Sequence, residues 1–288
     1  MRTILLAVTL AILTSAATVK WMMPSNSSTN PATPIAESAY ERIMRTGVIR
    51  CAYAPWAPYI SVDPNTGALG GFNHDIFEAM AKELNLKVEW TEQVGYGNYA
   101  EGLKSGRYDV FCQTAWPDAG RLKNALTTIP AHYSKVNIVV RSDDTRVADN
   151  WQILNAPEYK VVVIDGDITD TIARNDFPKA QVVRLPQAAD ASQLFMEVAT
   201  GKADATFVDY GFFQTYIQNN PDKLRIVGNV LRSYGGGFWV NNGELMLKAL
   251  FDNTLLMLIN NGQITRILQN YPTTAMSPAV TFQPRDER

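Results

Sequence analysis

The 288 residues are 46% hydrophobic and 19% charged, with a formal net charge of −2. That is material for a folded core of about two domains. It gives no bulk electrostatic reason to bind nucleic acid or an anionic membrane surface. Two cysteines, Cys51 and Cys112, are too few for a disulfide-built scaffold. They could pair in an oxidising compartment or simply fill strands as small buried hydrophobes.

The chain opens with Arg2, the apolar run from Ile4 to Leu13, and the small residues Thr14-Ser15-Ala16-Ala17. This layout predicts a cleaved signal peptide over 1–17; the alternative is an uncleaved anchor reaching Met23, against which Lys20 and the early Thr and Ser argue. The run is too short for a bilayer core, which takes about 20 residues. Later apolar stretches are no longer, so an exported, soluble, periplasmic protein is expected. Residues 18–39 read as a disordered linker, rich in Pro, Ser, Thr and Asn over 24–38. The stretch from Thr273 onward reads similarly, so folding is expected over about 40–272.

From there strands and helices alternate. Residues 48–53 make a strand, followed by the ring-rich loop YAPWAPY over 53–59. FNHDIFEAMAKEL (72–84) has apolar residues at a helical period. A short strand at 88–90, a helix at 99–104 stopped by Gly106, and strands at 108–113 and 137–141 follow. A second, similar series runs through strand 160–165, helix 169–175, strand 181–185, helix 189–200, strand 203–209 and helix 210–219. A return strand at 236–240 and helices at 244–260 and 264–271 complete it. Such alternation predicts parallel sheets with helical crossovers. Two series predict two α/β lobes, with ligands at the carboxyl ends of strands. The cleft between the lobes is the favoured location.

The phrases GVIRCAYAPWAPY (47–59), GALGGFNHDIFEAMAKEL (67–84), EGLKSGRYDVF (101–111), PDAGRLKNAL with Arg121, KVVVIDGD (160–167), GKADATFVDY (201–210) and LINNGQITRILQNY (258–271) occur in order. Together they resemble the periplasmic solute-binding proteins of ABC transporters, family 3, the polar amino acid-binding type. The resemblance implies two Rossmann-like lobes joined by two hinge strands, near 136–141 and 232–237. It assigns 40–137 plus 235–288 to lobe 1 and 138–234 to lobe 2. It also implies closure on a small-molecule ligand, presentation to an ABC transporter permease, and a monomer by family habit.

The same resemblance supplies candidate site residues. Trp56 and Tyr96 match rings laid against the ligand, where flat faces suit aliphatic, aromatic or cationic groups; the plain alternative is core. Arg121 matches the arginine that grips a ligand carboxylate with its planar fork; otherwise it is a surface arginine at a helix start. Asp209, ending the strand ATFVD, matches the acid that holds an α-amino group, or is only an N-cap. Thr114 fits a stretch that supplies hydroxyls and amides. Trp116 departs from it, with an indole where a small hydroxyl residue is usual, either narrowing the pocket or stacking on a larger ligand. Asp167 departs again, in a place that usually holds small hydroxyl residues. It could repel a carboxylate, pair with Arg121, bind a cation, or merely cap a helix. Tyr53 and Tyr59 could lie on the cleft rim but read first as core or surface, and His74 as surface.

With two histidines, no metal spacing, no GxSxG, no Walker loop and no Rossmann glycines, neither a metal nor a cofactor is expected. The expected activity is capture of a small polar nitrogenous solute without chemistry. The alternatives are a cyclohexadienyl-dehydratase-like enzyme, with Asp167 as its acid, or a sensory or accessory binding module.

Overall fold

The computed structural model describes residues 37–148 and 150–271 and the backbone of 277–278. The expected signal peptide, most of the linker and most of the C-terminal tail lie outside these residues. The expected linker ends inside a helix, α1 (Ala39–Thr46), with Ser38 and Glu41 forming a reciprocal capping box.

Strand β1 (Val48–Tyr53) leads to a small hairpin, β2 (Ser61–Val62) with β3 (Leu69–Gly70), and then to helix α2 (Phe72–Glu83). β4 (Lys87–Gln93), α3 (Tyr99–Ser105), β5 (Val110–Ala115), α4 (Ala119–Leu122) and β6 (Ala125–Thr127) complete the first series. The long strand β7 (His132–Arg141) crosses to the second series. That series is β8 (Lys160–Ile164), α5 (Ile168–Asp176), β9 (Gln181–Leu185), α6 (Ser192–Ala199), β10 (Ala205–Asp209) and α7 (Tyr210–Asn219). A second long strand, β11 (Leu224–Asn241), returns to α8 (Leu245–Asn260), α9 (Gln263–Gln269) and β12 (Ser277–Pro278).

Sequence periodicity leads to two parallel sheets. Instead, β4-β1-β5-β11-β7-β10-β8-β9 form one continuous sheet, with β6 on β11 and β12 on β7. The parallel pairs are β1 with β4 and β5, and β8 with β9 and β10; β7 and β11 run antiparallel through the middle. These two long strands pair from Gly236↔His132 to Arg232↔Val136, and again from Val227↔Ile138 to Leu224↔Arg141. The register breaks between Val227 and Arg232.

Each half of the sheet is covered on both faces, as parallel strands require. In β8, Val161 and Val163 join a core with Phe177 and Phe207, while Val162 and Ile164 join Leu194 and Phe195 on the other side. In the first half, Cys51 and Cys112 pack with Phe77 and Phe251, whereas Ala52 and Phe111 pack with Tyr99 and Trp239. Alternation on neighbouring strands brings the two cysteines to one face. Their Cα atoms are 5.5 Å apart, and they form a disulfide. Of the two readings open in the sequence, pairing is the one found.

Candidate functional site

Every candidate side chain follows the carboxyl end of a parallel strand, or ends one. Trp56 follows β1, Tyr96 follows β4, Thr114 ends β5, Trp116 and Arg121 follow it, Asp167 follows β8 and Asp209 ends β10. All seven line one cavity, together with Tyr59, Ile168 and Thr169 among others. The space inside is about 30 Å³, room for about two waters.

The loop carrying Trp56 is held by its own backbone. Trp56 N–H donates to the Ile60 carbonyl at 2.9 Å, and Tyr59 and Ile60 N–H return to the Trp56 carbonyl at 2.7 and 3.1 Å. The Pro58 and Tyr59 carbonyls then accept from Phe72 and Asn73 N–H, the first free amides of α2. This seat requires Gly71, at φ 104°, because a Cβ there would lie 2.4 Å from the Tyr59 oxygen. Trp56 packs against the cores of both halves and lies 4.6 Å from the Phe212 ring and 5.6 Å from Tyr96.

Asp209 is both cap and site residue. Its Oδ1 accepts from Phe212 N–H at 2.8 Å, capping α7, and its Oδ2 accepts from Trp56 Nε1–H at 3.0 Å across the cleft. Burial raises its pKa to about 6 against the lowering effect of these donors. Asp167 is likewise double in role. Its Oδ1 caps α5 by accepting from Thr169 N–H at 3.0 Å, while its Oδ2 lies 3.6 Å from Arg121 Nη2.

Arg121 is 8% exposed. Its Nη1 donates to the Trp116 carbonyl at 3.0 Å. Its Nε lies 3.5 Å from Asp118 Oδ2 in an ion pair. Neither Nε nor Nη2 makes a hydrogen bond. Those two atoms form one edge of the guanidinium plane, the edge that meets a carboxylate with two parallel bonds. Each atom instead faces a carboxylate at long range, Nε toward Asp118 at 3.5 Å and Nη2 toward Asp167 at 3.6 Å, so the edge keeps room for a closer acceptor.

Two candidates are engaged differently from expectation. The Thr114 hydroxyl bonds Asn73 and His132 Nε2, the latter at 2.9 Å, so it is spent behind the cavity wall. His132 is fully buried, and burial pushes its pKa down to about 3, keeping it neutral. The Trp116 indole donates to Ser134 Oγ at 2.8 Å and stacks on Tyr234, 4.9 Å away at 17°. It thus bridges β7 and β11 and narrows the cavity from the side. Tyr59, read from the sequence as core or surface with the cleft rim as the alternative, is 3% exposed and lines the cavity, its hydroxyl within the electrostatic reach of Asp209 and Ser134. His74 stacks on Trp90 at 5.1 Å, away from the cavity lining.

A second, larger space of about 310 Å³ lies at the cleft mouth. Trp56, Tyr96 and Asp167 are common to both linings. Here the two halves approach closely: a Cβ on Gly166 would lie 3.3 Å from the Gly97 Cα, and one on Gly97 would meet the Gln187 side chain at 2.8 Å. Among the described residues, no group of three or more His, Cys, Asp or Glu is placed to hold a metal.

Two covered α/β lobes on one sheet, with a cavity between them, are the architecture of a type II periplasmic binding fold. The chain belongs to the bacterial extracellular solute-binding proteins, family 3, whose sequence profile matches residues 49–274. A probable amino-acid ABC transporter-binding protein of Haemophilus influenzae is 27% identical over 213 residues, 74% of this chain and 79% of that one. A cyclohexadienyl dehydratase of Pseudomonas aeruginosa is 25% identical over 174 residues, 60% of this chain and 63% of that one. The crystal structure of an ancestral amino acid-binding protein, a precursor of cyclohexadienyl dehydratase, superposes with a TM-score of 0.71 at 24% identity. It covers 81% of this chain and 99% of its own.

Proposed function

We propose that this protein captures an amino acid or closely related amine between its lobes and hands it to an ABC importer in the periplasm, acting as a monomer and without catalysis. The observation that carries this is the Arg121 edge: two buried N–H groups that make no hydrogen bond and only long ion-pair contacts to Asp118 and Asp167, in a cavity whose lining also holds Asp209. A ligand carboxylate satisfies the fork, and its ammonium group finds Asp209 within an aromatic wall made by Trp56 and Tyr96. The lobe assignment used here, 40–137 plus 235–288 against 138–234, puts Arg121 and Trp56 on one lobe and Asp167 and Asp209 on the other. A zwitterion touching both lobes therefore favours the closed form, and only such differential contact can shift the equilibrium.

The raised pKa of Asp209 is the one feature that favours an enzymatic reading, since a carboxylic acid near neutrality can donate a proton. Both its oxygens, however, already accept hydrogen bonds, an arrangement suited to a carboxylate. Asp167, the acid favoured by sequence, caps a helix and faces Arg121, which also favours its anion.

A thermal-shift panel of amino acids, amines and organic acids tests the reading, because a ligand of the folded state raises Tm by mass action. At least one amino acid should stabilise the wild type. Arg121→Ala should weaken that ligand by about 100-fold or more, the loss of two charge-assisted hydrogen bonds. An unchanged affinity would remove Arg121 from the site. Turnover of prephenate or arogenate that depends on Asp209 would replace the binding reading with the enzymatic one.

A further inference from the structure

Trp116 is engaged at both of its ends. It follows Ala115, the last residue of β5, and is half-buried. Its carbonyl accepts from Arg121 Nη1 at 3.0 Å. Its indole reaches the other way, to the two long strands. Ser134 of β7 and Tyr234 of β11 are direct cross-strand partners, so their side chains stand on one face of the sheet. The indole engages both, by the Nε1–H bond to Ser134 Oγ and the stack on Tyr234. Ser134 is 1% exposed and does not line the cavity.

The link between ring and carbonyl is stiff. Pro117 follows Trp116, and a residue before proline is held to extended backbone. The preceding carbonyl, that of Ala115, accepts from Trp239 Nε1–H at 3.2 Å. Fixing the ring therefore fixes where the Trp116 carbonyl points. Arg121 depends on that direction. It sits on α4, a single turn of four residues, too short to be stable on its own. Its guanidinium ends a long stem whose ordering costs entropy. Neither Nε nor Nη2 makes a hydrogen bond, so the bond from Nη1 to the Trp116 carbonyl is the anchor of the head group. With Nη1 anchored there, the edge formed by Nε and Nη2 is the one presented to an acceptor.

Resting on the amino-acid reading above, we propose that Trp116 is a positioning residue for ligand capture: clamped on the Ser134–Tyr234 pair, it aims the Arg121 fork through its own carbonyl. The Ser134 hydrogen bond and the Tyr234 stack set the angle at which the guanidinium meets a carboxylate. Tyr234 lies two positions from Arg232, where the pairing of β7 with β11 resumes after its break. The fork thus takes its aim from the same strands that join the lobes.

A double-mutant cycle on the full chain tests this. The probes are the common L-amino acids, screened by thermal shift, with calorimetry on the strongest stabiliser. Ser134→Ala removes the acceptor of the indole without touching the cavity lining. It should weaken that amino acid about three- to tenfold, the worth of one hydrogen bond. In an Arg121→Ala background, read by thermal shift at millimolar probe, the same substitution should change nothing, because the aimed group is gone. Trp116→Phe keeps a ring for Tyr234 but has no N–H. It should weaken the same amino acid to a similar extent, and it carries the test if Ser134→Ala does not fold. A loss that persists undiminished in the Arg121→Ala background shows that Trp116 only shapes the cavity, and overturns the proposal. Unchanged affinity in both Ser134→Ala and Trp116→Phe overturns it too. Either result leaves the amino-acid reading standing. If no amino acid stabilises the wild type, the reading and the proposal fall together.

Discussion

Asp209→Asn is an informative perturbation because burial and function pull on the same carboxylate in opposite directions. The folded protein holds Asp209 with a pKa of about 6 rather than 3.8. A group with a raised folded pKa binds protons more readily in the folded than in the unfolded state. Its contribution is therefore fully present below about pH 4 and is lost as the pH rises through 6. Over that window the shift corresponds to about 3 kcal/mol, from about 1.36 kcal/mol per unit. Asparagine keeps the oxygen that accepts from Phe212 N–H or Trp56 Nε1–H but carries no charge to desolvate. Urea unfolding at pH 7, 6, 5 and 4 gives the stability of both proteins by linear extrapolation. The wild type should gain on Asp209→Asn by about 2.4 kcal/mol between pH 7 and 4, while at pH 7 the variant is at least as stable as the wild type. His132, depressed to about 3 by burial, works with the opposite sign: it destabilises the fold as pH falls below 6.5, in both proteins alike. Taking the difference between the two proteins cancels it. A difference that stays constant from pH 7 to 4 would refute the claim that Asp209 is a strained, desolvated carboxylate.

Two further expectations follow from the geometry. The Cys51–Cys112 disulfide closes a loop with a sequence separation of 61, so Cys51→Ala/Cys112→Ala should cost about 4 kcal/mol in the chain-entropy account. That is about 10 °C in Tm for a chain of this size; scanning calorimetry showing a loss under 2 °C would place the stabilisation elsewhere. Gly97→Leu puts a side chain where the lobes meet Gln187 and Gly166. It should weaken ligand binding at least about tenfold while leaving Tm without ligand nearly unchanged, since neither lobe core is touched. A parallel loss of Tm would mean that Gly97 serves folding rather than closure.

The main alternating elements were legible because their buried residues are apolar and periodic: β8 is a run of valines and isoleucine, and α2 buries Ile76, Phe77, Met80 and Ala81. Helix α1 escaped because it buries only Ile43, although Ser38-x-x-Glu41 was its signature. The first half of β7 escaped because the residues it turns inward at alternate positions, His132 and Ser134, are polar. The continuity of the sheet across the lobes could not be read from local pattern, since it depends on pairing between residues far apart in sequence, from Leu224↔Arg141 to Gly236↔His132. The candidate site residues were found through resemblance, and the structure brings all seven to one cavity. The orientation of their polar atoms, such as the Thr114 hydroxyl turned toward Asn73 and His132, has no sequence signal at all.

The interruption between Val227 and Arg232 in the β7–β11 pairing bears on how long a solute stays bound. The ladder is paired on either side of the gap, so the proposed closure, if centred there, would leave both flanking ladders in place. Hinge motions of this kind run on the microsecond-to-millisecond scale. The residence time of the cargo is thereby left to the side chains that meet across the cleft, chiefly Trp56 on Asp209 and Arg121 on Asp167. Substitutions in the unpaired stretch should alter how fast the protein exchanges its cargo more than how tightly it holds it.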